Sequence, residues 1–164
     1  MQEEYRRFVE LFAEKVRAEL QDRITSMALY GSVARGTARP DSDVDFLLIG
    51  ESLSPHYHER LDTVLPIINL VEASEARREL ERKGYVPTIR VVIYDKEEAR
   101  DTKPIFLDLV EDAVILFDDG FLQAKLDQIQ RRMRELGSRR VRLPDGGWYW
   151  DLKPDLKPGE VFEI

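Results

Sequence analysis

Cysteine is absent from the 164 residues, asparagine occurs once (Asn69), and there are only two histidines. Without cysteine neither a disulfide framework nor a thiolate metal site can form. The histidines, His56 and His58, have no further ligand residue at metal-binding spacing and read as exposed residues at a helix start. Scarce asparagine, a thermolabile residue, is a trend of heat-adapted chains. No apolar run approaches membrane-spanning length, and none follows the first residues as a secretory leader would require. The expectation is a soluble, unprocessed, cytoplasmic protein that neither crosses nor sits on a membrane. A net charge of -7 argues against wholesale electrostatic binding to nucleic acid, which relies on Lys and Arg neutralising phosphates.

What is present reads as one α/β domain. Apolar residues at three- and four-residue steps (Tyr5, Phe8, Leu11, Phe12, Val16, Leu20) predict an amphipathic helix over 2–21. A strand over 24–30, a short helix over 32–37 and a second strand over 44–49 follow, with Pro40-Asp41 as the breaker. Residues 57–83 read as a helix that Pro66 should kink or divide, and residues 86–94, rich in β-branched side chains, as a third strand. A short helix over 102–111, a strand over 113–117 and a long helix over 121–136 complete the domain. Residues 141–150 then look like a hairpin around Pro-Asp-Gly-Gly. The expected division is a domain over 1–137 with a hairpin and irregular tail, 138–164, packed on it.

Chemistry concentrates in residues 29–50. Along a strand successive side chains face opposite ways, so Asp43 and Asp45 share a face with Cα atoms roughly 7 Å apart. Mg²⁺ takes oxygen ligands and is commonly held by one or two carboxylates plus substrate phosphates, so this pair suits a metal-bound nucleoside triphosphate. Gly31 and Ser32 stand where a strand hands over to a helix, offering backbone N–H groups and a hydroxyl to phosphate. Arg35 and Arg39 can neutralise phosphate oxygens, and the Ser42 hydroxyl can donate to another. Taken singly, each has an ordinary structural explanation; their joint spacing does not.

The string Gly-Ser-Val-Ala-Arg-Gly followed by Ser-Asp-Val-Asp resembles the signature of the DNA polymerase β nucleotidyltransferase superfamily, and in particular the small prokaryotic minimal nucleotidyltransferases. Residues 107–117 resemble, more loosely, the helix and strand that follow the core in that group. The resemblance implies a mixed β-sheet nucleotidyltransferase fold, α/β (α+β), flanked by helices. It also implies that Gly31 and Ser32 bind the nucleotide and that Asp43 and Asp45 hold Mg²⁺, so that with Arg35 and Ser42, read above as phosphate contacts, the expected nucleotide site is Gly31, Ser32, Arg35 and Ser42 and the expected catalytic and metal pair is Asp43 and Asp45. ATP or another nucleoside triphosphate would be the substrate, and a nucleoside monophosphate would pass to a hydroxyl acceptor with release of pyrophosphate. Small family members often work beside a HEPN-domain partner as the antitoxin that adds AMP to the toxin. A HEPN-type partner or a homodimer is therefore the expected company.

The pattern breaks on the third strand. Active members carry a third carboxylate aligned with the metal pair, and the aligned position here is Arg90, which cannot accept a proton. A missing general base typically costs about 10²–10⁴-fold. Either Arg90 binds phosphate or acceptor while the acceptor brings its own base, or Asp95 or Glu72 folds back to supply the carboxylate, or the chain is a nucleotide- or partner-binding module that has lost the chemistry. Two further clusters are arginines 131, 132, 134, 139, 140 and 142, favoured as a solvated, salt-bridged face over an RNA or acidic-partner site, and Trp148-Tyr-Trp150, favoured as packing over base stacking.

Overall fold

The computed structural model describes residues 1–144 and 147–164. A four-stranded mixed sheet runs in the order β3-β2-β1-β4, built from β1 (Ile24–Tyr30), β2 (Val44–Gly50), β3 (Ile89–Asp95) and β4 (Val114–Phe117). β1 pairs antiparallel with β2 and β4, and β2 pairs parallel with β3. Alternation along the strands gives the sheet two buried faces. Met27, Leu29, Val44, Phe46, Leu48 and Ile93 pack under α1 (Arg6–Leu20), α3 (Tyr57–Glu72) and α4 (Glu75–Arg82), with the Phe12 and Phe46 rings 4.7 Å apart. Ala28, Leu47, Ile49 and Val92 pack on the other face beneath α5 (Lys96–Arg100), α6 (Pro104–Asp112) and α7 (Phe121–Leu136). Among the described residues no helix is long and apolar enough to cross a membrane.

The fold agrees closely with the sequence-based expectation for β1, β4 and α7. It departs in three places. Pro66 does not divide the long helix; the break falls at Ala73–Ser74, where the Ser74 hydroxyl accepts the Arg77 amide at 3.3 Å and starts α4. Proline removes the bond to the carbonyl four residues back, but Pro66 and Asp62 both lie on the exposed side of α3, where water can take its place. β3 starts at Ile89 rather than 86, and Val86 is exposed while its amide bonds the Pro40 carbonyl at 2.7 Å. α5 lies outside the elements expected from the sequence, although Asp95 with Glu98 three residues later forms a capping box.

β3 is an outer strand, and two residues of α3 cover its open edge. The Tyr57 hydroxyl donates to the Val91 carbonyl at 3.2 Å, and Arg60, nearly buried, donates to the Ile93 carbonyl and pairs with Glu98. Outward-facing carbonyls that would otherwise invite a foreign strand are thus occupied.

Beyond α7, β5 (Arg139–Arg142) pairs antiparallel with β6 (Trp148–Asp151). The expected Pro-Asp-Gly-Gly turn falls partly on residues 145–146, outside the described residues.

Candidate active site

The carboxylate pair lies where β2 enters the sheet. Asp45 stands opposite Tyr30 on β1 and opposite Arg90 on β3, so Tyr30, Asp45 and Arg90 project from the same face. Asp43, immediately before β2, is ion-paired with Arg90, whose Nε lies 2.9 Å from Asp43 Oδ2. The register expected from the sequence holds: arginine occupies the third-carboxylate position. Both alternative carboxylates are engaged by other partners. Glu72 accepts the Ile89 amide at 3.2 Å and pairs with Arg77, while Asp95, at the far end of β3, accepts the Leu53 and Glu97 amides at 2.9 Å.

Gly31 follows Tyr30 and heads the short helix α2 (Gly31–Arg35) with φ +76°. A Cβ on Gly31 would lie 2.7 Å from Asp45 Oδ2, a distance real side chains do not tolerate. Glycine is therefore favoured by the left-handed backbone, and any Cβ there would also have to push the Asp45 carboxylate aside. Ser32 follows on the same turn. Ser42 accepts the Arg39 amide at 2.8 Å through its hydroxyl oxygen, closing the turn that delivers Asp43, so its oxygen is committed to the backbone while its proton remains to donate.

Electrostatically the pair is under tension. Burial raises the Asp45 carboxyl above its ordinary range and the neighbouring Asp43 charge adds to the rise, while Arg90 and Arg35 oppose it. Tyr30 is pushed up to about 12 by burial and by the charge of Asp45, so it stays a neutral phenol at physiological pH. A half-buried carboxylate held in its charged form gains from a bound cation. The donor set, two carboxylates and no group of three or more acidic or histidine side chains among the described residues, suits an ion whose remaining ligands are substrate phosphates rather than a closed protein cage.

Arg35 is held by a residue that no sequence motif singles out. Asp112, at the end of α6, accepts from Arg35 Nη1 at 2.8 Å and from Arg140 Nη2 at 3.3 Å. Arg140 also pairs with Glu111 at 2.6 Å and lies over the Trp148 and Trp150 rings, 4.4 and 5.4 Å from their centroids. Trp150 Nε1 donates to Asp108 at 2.9 Å. The tryptophans thus pack the hairpin onto α6. The arginine cluster is largely occupied too: Arg132 bonds the Glu163 carbonyl and Glu135, Arg134 bonds Gln130, and Arg139 pairs with Asp151. No local signal marks Asp112, because its partners lie 77 and 28 residues away. Asp112→Ala is expected to leave both guanidiniums without their shared partner at a cost of about 1–3 kcal/mol. Hydrogen exchange should show faster exchange of the β5 and β6 amides while those of β2 stay protected.

A mixed sheet with two carboxylates beside a Gly-Ser turn is the arrangement that the resemblance to nucleotidyltransferases implies. The nucleotidyltransferase domain model matches residues 9–143, and the chain belongs to that family. A curated relative from Methanocaldococcus jannaschii, MJ1305, named as a candidate protein adenylyltransferase, is 31% identical over 59% of this chain and 84% of its own length. Among solved structures, the spectinomycin adenyltransferase AAD(9) from Enterococcus faecialis, with ATP and spectinomycin, matches at a TM-score of 0.51 and 12% identity. That match covers 80% of this chain and 66% of that one, a likeness of fold.

Proposed function

We propose that the chain transfers AMP from ATP, in a Mg²⁺-dependent reaction, to a hydroxyl acceptor on a partner protein. The observation that carries this reading is the carboxylate pair at the start of β2, Asp43 just before the strand and Asp45 within it, with Asp45 lodged against Gly31, whose left-handed backbone favours glycine. The name of the M. jannaschii relative supports a protein as acceptor. Asp43 and Asp45 would hold the ion, which supplies positive charge to the triphosphate. Gly31 and Ser32 would hold phosphate oxygens, and Arg35, oriented by Asp112, would neutralise them. The acceptor oxygen attacks the α-phosphorus, the bond to the β-phosphate breaks, and pyrophosphate leaves. Arg90 rather than a carboxylate is in register with Asp45, so positioning and electrostatic stabilisation would carry the rate, and a base on the acceptor or its carrier would take up the hydroxyl proton. A HEPN-type protein or a second copy of this chain would present the hydroxyl.

The test is incubation of the purified chain with Mg²⁺ and ATP labelled at the α-phosphate, alone and with a co-purifying partner, beside Asp45→Asn. Label on a protein that vanishes in Asp45→Asn supports the reading. Label absent from the wild type but present in Arg90→Asp would instead mark a nucleotide-binding module that has lost its chemistry.

A further inference from the structure

We propose that Arg90 takes the place of a second metal ion: the site accepts one divalent ion, brought with the nucleotide, and the guanidinium supplies the other positive charge. This rests on the reading that Asp43 and Asp45 hold a metal-bound nucleotide. Two-metal sites place their ions about 3.5–4 Å apart, and two ions so close need shared carboxylates and further donors of their own. Among the described residues the carboxylates at the site are two, and the position in register with Asp45 that could add a third donor is Arg90.

Arg90 is not merely absent as a ligand. Its Nε sits 2.9 Å from Asp43 Oδ2, one of the oxygens a second ion would need. A second divalent ion at the pair would have to displace that contact and then sit beside a fixed cation. The side chain is 68% exposed, so its Nη groups are open to a phosphate oxygen, to which a guanidinium donates in a paired geometry that an ammonium cannot copy. The replacement of the third carboxylate is then an exchange of one cation for another and leaves the site intact.

The closing experiment counts ions. Binding of the Mg²⁺ complex of α,β-methylene-ATP to the wild type is measured first by calorimetry. Mn²⁺ is then titrated into protein saturated with the same analogue, with free Mn²⁺ followed by electron paramagnetic resonance. The wild type and Arg90→Lys are expected to bind one Mn²⁺ per chain, and Arg90→Asp two, with circular dichroism confirming an unchanged fold. Two ions in the wild type, or one in Arg90→Asp, would overturn the proposal while leaving the nucleotide reading in place. Failure of the wild type to bind the analogue at all would overturn both.

Discussion

Asp45→Asn is expected to lower nucleotidyl transfer by at least about 10³-fold, on the order of 4 kcal/mol of transition-state stabilisation, and at the same time to raise the melting temperature. The two effects have one cause. The folded protein holds the Asp45 carboxyl above its ordinary range, chiefly by burial and next by the Asp43 charge, so the folded state binds that proton more readily than the unfolded chain does. The ionised form therefore subtracts from stability, and the loss grows as pH rises through the interval between the ordinary and the raised value. Asparagine keeps the shape and removes the charge. Each 1 kcal/mol of relief appears as about 2–4 °C in a domain of this size. Scanning calorimetry of both proteins at neutral pH checks the sign; an unchanged or lower melting temperature for Asp45→Asn would contradict it.

Gly31→Ala should damage both fold and function. A left-handed backbone costs a residue with a Cβ roughly 1–2 kcal/mol, or about 2–8 °C here. The added methyl would also lie 2.7 Å from Asp45 Oδ2 and push the carboxylate off its position, and a displacement of about 1 Å can cost 10²-fold in rate. Gly36 supplies the control. It has the same φ of +76°, but a methyl added there would meet nothing within 4 Å, so Gly36→Ala should lose comparable stability and keep its turnover. Equal loss of activity in both variants would remove the contact with Asp45 from the explanation.

The sequence is most legible where structure is decided locally. Asp45 follows from the period-2 alternation of β2, with Asp43 two residues before it at the strand's entrance, and the Gly-Ser turn needs only a residue that tolerates positive φ. The arrangement of β1, β2 and α2 follows from these, and the pattern of β3 aligns it well enough to place Arg90 beside the pair. Local signals also mislead. Pro66 suggests a break that Ser74 makes instead, because a proline on the wet side of a helix leaves its orphan carbonyl to water. The capping box at Asp95 is written as Asp-x-x-Glu, yet its helix is so short that no apolar period announces it.

By itself, then, the sequence determined the carboxylate pair, the glycine turn and the family, since each is written in residues within about twenty positions of one another. Only the tertiary structure decided which oxygen Arg90 engages, that Glu72 and Asp95 are occupied elsewhere, and that Asp112 ties Arg35 to Arg140 and the tryptophan hairpin. Those contacts join residues up to 77 positions apart. No spacing along the chain encodes them, because they come into being when the sheet order and the helices packed on its faces bring separate side chains within reach of a hydrogen bond.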